Sequence, residues 1–262
     1  MNSDGSVSLS ATRSGDCYGL YFPDVAEAWI KPGGSIALWF DPHASVESLR
    51  HVVLDQILPR VLAQLGRLVL HASMATTAQG RTVVILGESG RGKSTLASAF
   101  DVGGGHMLTD DCVVINADEG KLRAVPSYAG TRLWADSLAQ MYPHGHAQAT
   151  PVAHYSEKLR LVPDRTSDRD PHAPRAVDAI LVLQEPDDEE QILLVGQSPQ
   201  QACMAIIGNA FQLDLGDLRH THHLLGLAAE LARDVPVMNL HYPRDYSLLP
   251  AVVARVDEHC GT

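Results

Sequence analysis

Thr82-Val83-Val84-Ile85-Leu86-Gly87-Glu88-Ser89-Gly90-Arg91-Gly92-Lys93-Ser94-Thr95 is the stretch on which the reading of the whole chain turns. An apolar run leads into a glycine-rich loop, and a Lys-Ser pair closes it. From Gly87 to Ser94 the residues match G-x-x-x-x-G-K-[ST], the Walker A pattern of phosphate-binding loops. Each fixed place has a physical task. Glycine permits backbone angles that turn successive N–H groups inward onto phosphate oxygens. Lys93 brings positive charge to the β and γ phosphates, and Ser94 offers a hydroxyl to Mg²⁺. A helix expected from Ser94 toward Phe100 aims its positive end at the same spot, and Gly103-Gly104-Gly105 stops it. The bare pattern arises by chance in roughly one chain per hundred of this length. The strand before it and the helix after it supply the context that phosphate binding requires. The expected ligand is therefore a nucleoside triphosphate with Mg²⁺, held by residues 87–95.

Outward from the loop, two sites carry further chemistry. Asp110-Asp111 follows Leu108-Thr109 and precedes the apolar run Val113-Val114-Ile115. A carboxylate at the end of a buried strand beside such a loop is where Mg²⁺ is commonly held. Two adjacent carboxylates permit a division of labour, one on the metal and one accepting a proton from an attacking hydroxyl. Aspartates also suit an exposed turn, so the loop is what tips the reading toward catalysis. Upstream, His71 stands in Leu70-His71-Ala72-Ser73, and its residue type alone leaves a core role and a catalytic role equally open.

The remaining chain reads as alternating strands and helices. Residues 1–20 are small and polar and are expected to fray. Residues 20–30 and 35–40 read as strands around Lys31-Pro32-Gly33-Gly34. A helix is expected over 46–65, with Ser45 as N-cap, Gly66 as its stop and a kink at Pro59. Residues 68–74 form one strand, with a turn at Ala78-Gln79-Gly80. Residues 107–108, 112–116 and 121–125 supply more, with a turn at Asp118-Glu119-Gly120. Residues 145–176, rich in Pro, Asp, His and Arg, read as a long loop or flap. Residues 177–183 and 191–195 read as a hairpin around Asp187-Asp188-Glu189-Glu190. Ser198-Pro199 opens a helix, residues 218–233 form another, 235–241 a strand and 247–257 a closing helix. Within the flap, Lys158 and Arg160 are two apart, so an extended segment points them the same way, as a clamp over a γ phosphate requires. Arg132 and Arg244 are weaker candidates for that task, and Arg91 reads as solvated. Trp134 and Tyr128 suit the core or the lining of a nucleobase or peptide site. His144/His146 and His220/His222/His223 lack the Cys or carboxylate spacing of a zinc site.

The chain has 262 residues, with 45% hydrophobic and 19% charged, ordinary for a globular protein and long enough for one full core. A net charge of −11 excludes a global field that would attract nucleic acid or an anionic membrane. The four cysteines are scattered without a C-x-x-C pair, and no secretory signal or membrane-length apolar run is visible. A cytoplasmic location is expected.

The residues from Leu70 to Ile115 resemble the core of the HPr serine kinase/phosphorylase family and its shorter relatives. In that family a histidine opens the strand before the phosphate loop and an Asp-Asp pair follows the loop's helix, matching His71, residues 87–95 and Asp110-Asp111 here. The resemblance implies ATP as phosphoryl donor, one aspartate as general base toward a serine hydroxyl, the other on Mg²⁺, and His71 orienting the pair. Base is assigned to Asp110 and metal to Asp111 with Ser94; the order can be reversed. Pro126-Ser127-Tyr128, Arg132-Leu133-Trp134, Glu157-Lys158-Leu159-Arg160-Leu161 and Tyr242-Pro243-Arg244-Asp245 are similar to stretches of lasso-peptide tailoring kinases. Two departures stand out. The separate N-terminal domain of full-length HPr kinases does not fit before residue 68, and their glycine-rich C-terminal signature is missing. HPr is thus not the expected acceptor, and the reverse reaction is left open.

The expectation is an α/β fold: a mixed sheet carrying the P-loop with flanking helices over residues 67–262, and a β-hairpin plus helix over residues 1–66 packed on it. The expected activity is Mg²⁺–ATP-dependent phosphorylation of a serine on a peptide or small protein, with a homo-oligomer left open. The alternatives are an NTPase switch, a regulatory nucleotide-binding protein and a small-metabolite kinase.

Overall fold

Runs of β-branched residues broken by glycine and proline make strands outnumber helices among the described residues. The computed structural model describes residues 9–118, 120–128, 130–143, 149–153, 156–161, 172–185, 191–214 and 216–260. The turn at 187–190, the pair His144/His146 and Glu119 lie outside the described residues.

The chain opens with an antiparallel meander of four strands, β1 (Ser10–Ser14), β2 (Cys17–Phe22), β3 (Ala26–Ile30) and β4 (Ile36–Phe40). This corrects two expectations. Part of the segment expected to fray is a paired strand, and the strand expected over 20–30 is two. It folds back at Pro23-Asp24, where Asp24 takes a left-handed φ of 56°. Leu20, Phe22, Val25, Ala28 and Ile30 close a small core with Val52, Ile57 and Val61 of the following helix. That helix is α1 (Val46–His51), a π-helical turn Val52–Ile57, and α2 (Leu58–Gln64). Ser45 caps it by accepting from the N–H of Ser48. Instead of a simple kink at Pro59, the helix widens ahead of it. Pro59 has no N–H for the carbonyl of Asp55, and Leu58 donates to Val53, one residue further back than an α-helix would.

Next come β5 (Leu68–Leu70), β6 (Ser73–Thr76), β7 (Thr82–Leu86), α3 (Lys93–Val102), β8 (His106–Thr109), β9 (Val113–Asp118), β10 (Lys121–Pro126), β11 (Thr131–Leu133) and α4 (Ala135–Met141). The strand expected over 68–74 changes sheets at His71-Ala72: β5 pairs with β9, and β6 with β7 and β8. The expected flap contains β12 (Thr150–Ala153) and β13 (Ser156–Leu161), which form a sheet with β11. The chain ends with β14 (Ala179–Leu183), β15 (Leu193–Gly196), α5 (Pro199–Gly208), α6 (Leu218–Asp234), β16 (Val237–His241) and α7 (Leu249–Cys260).

The largest sheet runs β15-β16-β14-β7-β6-β8, mixed, with β7, β14 and β16 parallel at its centre. The expected hairpin of β14 and β15 does not form, because β16 inserts between them. All five residues of β14 are buried, as a central parallel strand requires. The two faces of this sheet carry separate cores, one with α5 and α6 over Leu70, Val84 and Ile180, the other with α3 and α7 over Ile85, Met107 and Leu181. No described helix is long and apolar enough to cross a membrane.

Candidate active site

β7 is buried along its whole length and ends in the glycine loop at the carboxyl edge of the parallel strands. Gly90 and Gly92 adopt φ of 82° and 97°, angles that other residues rarely hold, and Gly92 is the N-cap of α3. The amino end of that helix faces a cavity of about 890 Å³. Residues 89–95 of the loop line it, together with His71, Asp111, Arg132 and Lys158. Lys93 is buried, its ammonium turned back onto the loop, donating to the carbonyls of Gly87 at 2.7 Å and Glu88 at 3.2 Å. Burial lowers its pKa, against the pull of Asp111 and Asp110. Arg91 is not merely solvated: it pairs with Glu88 at 2.9 Å and Glu185 at 2.5 Å. Arg244 donates to the carbonyl of Gly90 at 2.8 Å.

The two aspartates at the end of β8 part ways. Asp110 is 1% exposed. Its Oδ1 accepts from Ser73 Oγ at 2.5 Å, Ser94 Oγ at 3.1 Å and the N–H of Asp111 at 3.1 Å, while its Oδ2 accepts from the N–H of Arg132 at 3.0 Å. Burial, with the neighbouring Asp111 carboxylate, raises its pKa over the lowering effect of the Ser73 hydroxyl and of the charge and backbone N–H of Arg132. Asp111 sits at φ 66°, a left-handed backbone that turns it away from the strand. Its Oδ2 meets Arg132 Nη1 at 2.5 Å and its Oδ1 meets His71 Nε2 at 3.4 Å. Burial would raise its pKa, but Arg132, His71 and Lys158 hold it well below the usual carboxylate range. Asp111 is thus ionised and faces the cavity, and Asp110 is buried against Ser94.

The sheet change between β5 and β6 is what delivers His71. Its N–H donates to the carbonyl of Asn209 at 2.8 Å, and its ring stacks on Phe211 with centroids 5.9 Å apart. Lys158 and Arg160 both lie on β13 but do different things. The Lys158 ammonium sits 5.7 Å from the Trp134 ring and lines the cavity. Arg160 is buried over the Tyr128 ring at 4.8 Å and is not among the lining residues. Trp134 is half exposed at the cavity wall, with Tyr242 and Tyr246 further along it.

Sequence reasoning passed over Asp55 and gave Arg132 and Tyr128 minor parts. Asp55 is 4% exposed and Arg132 6%, and their side chains meet at 2.5 Å. Tyr128 donates its hydroxyl to Asp55 and accepts from Arg132, and His51 Nδ1 lies 2.9 Å from Asp55 Oδ2. The available signal was a carboxylate among the buried positions of an amphipathic helix, four residues before a proline.

The oxygen donors suit Mg²⁺, which takes one or two protein ligands and completes its shell with substrate phosphates and water. Ser94 and Asp110 form such a partial set, and among the described residues no group of three or more His, Cys, Asp or Glu could hold a metal by itself. No protein-family model matches this chain, and no curated protein matches it. Among solved structures, the HPr(Ser) kinase/phosphatase from Coxiella burnetii is similar at a TM-score of 0.36 and 12% identity, over 74% of this chain and 92% of that one.

Proposed function

We propose that the chain is a phosphotransferase that moves the γ-phosphoryl group of Mg²⁺-bound ATP to a serine hydroxyl of a peptide or small protein. The observation that carries this reading is the junction of three features at one cavity: the glycine loop, Lys93, and an ionised Asp111 braced by His71. ATP, the serine and a lasso-type precursor peptide come from the sequence resemblance.

The chemistry assigned to the chain's own residues follows from their surroundings. N–H groups of the loop and the amino end of α3 receive the phosphates. Lys93 leaves the carbonyls of Gly87 and Glu88 for the γ-phosphate oxygens. Charge developing on those oxygens is offset by Lys93 and by Mg²⁺ when bound at Ser94 and Asp110. Compared with the sequence expectation, the two aspartates exchange roles in this proposal: Asp110 faces Ser94, and Asp111 faces the space an acceptor would enter. Asp111 accepts the proton from the serine hydroxyl. A carboxylate of low pKa is a weak base, but phosphoryl transfer has a loose transition state, so the proton moves late and orientation matters more than basicity. His71, 3.4 Å from Asp111, keeps that carboxylate turned toward the acceptor.

The test is incubation with Mg²⁺–ATP, with and without serine-bearing peptides, read by mass spectrometry beside Lys93→Ala and Asp111→Asn variants. A phosphate mass on one peptide serine, lost with Lys93→Ala, is expected. Asp111→Asn is expected to lower kcat by roughly 10²- to 10⁴-fold with nucleotide affinity kept. Phosphate release with every peptide unmodified would replace this reading with that of an NTPase, and nucleotide binding without any turnover would leave a regulatory protein.

A further inference from the structure

Arg132 touches both catalytic-site aspartates, Asp110 through its backbone N–H at 3.0 Å and Asp111 through its guanidinium at 2.5 Å. The other edge of that guanidinium is held from the opposite wall of the same cavity, by Asp55 at 2.5 Å, and by the Tyr128 hydroxyl. Asp55 belongs to the π-helical turn that joins α1 to α2, where the helix is widened ahead of Pro59. All three charged groups are largely buried. Such a cluster costs desolvation, and well-packed apolar residues would commonly serve stability as well. A buried cation gripped on both sides does, however, fix geometry. One guanidinium fork has a set angle between its nitrogens, so the side that grips Asp55 determines where the side that grips Asp111 can stand.

We propose that Asp55 is a positioning residue of the active site, acting through Arg132 to hold the Asp111 carboxylate in place. The wall of helix over residues 46–64 is in this way part of the working site. Asp55 and Asp111 do not touch, yet they are coupled through a shared partner. Which reaction Asp111 serves is taken from the phosphotransfer reading above; the coupling itself does not depend on it.

The experiment has two arms on the full chain. In the first, thermal unfolding compares Asp55→Asn, Asp111→Asn and the double variant. Either single change leaves Arg132 one counter-charge, whereas the double leaves it buried with neither. The drop in Tm of the double variant is therefore expected to exceed the sum of the single drops by about 4 °C or more. Singles that fold beside a double that does not are the same result in its extreme form. Additive shifts would overturn the coupling.

In the second arm, Asp55→Asn is expected to lower kcat for peptide phosphorylation roughly 10- to 100-fold with KM for ATP little changed, and Asp55→Glu to recover part of the loss. Leu231→Ala, in the core beneath α6 and away from the cavity, serves as a destabilised control that keeps kcat. Loss of kcat in that control equal to the loss in Asp55→Asn would overturn the positioning role. If the wild type phosphorylates no peptide while the unfolding arm still shows coupling, the kinase reading fails and the coupling through Arg132 stands.

Discussion

Asp110 and Asp111 carry the same functional group and are neighbours in the chain, yet their surroundings divide them. Asp110, 1% exposed, accepts from neutral donors, two hydroxyls and two N–H groups; Asp111 receives a guanidinium. The first is pushed toward the protonated form and the second away from it. In the proposed reading, a proton held by Asp110 would have to leave for that carboxylate to hold Mg²⁺, because a metal ligand must be deprotonated. The folded pKa of Asp110 lies above its unfolded value, so lowering the pH favours the proton and opposes the metal. Binding of Mg²⁺–ATP is therefore expected to release a proton in mildly acidic buffer and to weaken as pH falls. Calorimetry in two buffers of different ionisation enthalpy reads that proton directly, and equal heats in both would refute it. Asp110→Asn should abolish the buffer dependence. The sequence marked the adjacent pair as a candidate, because the residue types and the nearby loop single it out. How differently the two are surrounded was not legible, because that depends on Ser94 and Arg132 reaching each carboxylate across the fold.

Elements were legible where their own residues dictate them. The run Thr82–Leu86, the glycine-stopped helix after it and the Ser198–Pro199 helix start all carry local signals, and each forms within a residue or two of its expected bounds. The exceptions share a cause. β14 and β15 look like a hairpin because they are consecutive, but β16, which follows two helices later, takes the place between them. β12 and β13 are short and mixed in polarity, so no apolar period marked them within the expected flap. The turn from α3 into β8 shows how tightly local chemistry can bind. A Cβ on Gly105 would stand 2.0 Å from the carbonyl oxygen of Thr76 on β6, a backbone atom that cannot swing aside. Gly105→Ala is expected to cost about 3 kcal/mol or more in urea unfolding, whereas Ser198→Ala, which removes a helix cap on the surface, should cost about 1 kcal/mol. Comparable losses in the two variants would mean that the turn simply relaxes.

At the scale of the whole molecule the cavity has walls from chain segments far apart: Phe22 and His51 of the N-terminal unit, the loop after β7, Trp134, and Tyr242 and Tyr246 near the end. The sequence suggested an N-terminal unit packed on a nucleotide-binding core. It held no sign that this unit reaches the site, because the link runs through side chains such as Asp55 and Tyr128, 73 residues apart. That arrangement makes a distributed response to ligand the expected behaviour. At a ligand concentration about a hundred times Kd, binding to the folded state alone adds about 2.7 kcal/mol. For a chain of this size that corresponds to a Tm rise of roughly 5–10 °C. Its distribution is the sharper test. Amide hydrogen exchange with Mg²⁺–ATP should slow in residues 87–95 and at Asp110 and Asp111. It should also slow in the helix over residues 46–64, whose Asp55 is tied to Arg132. Local opening of that helix breaks the grip on Arg132 and loosens Asp111, so a ligand that needs the site assembled must disfavour the opening. Slowing confined to the loop, with the helix exchanging as before, would show that the nucleotide site assembles without the N-terminal unit, leaving Asp55 a structural residue only.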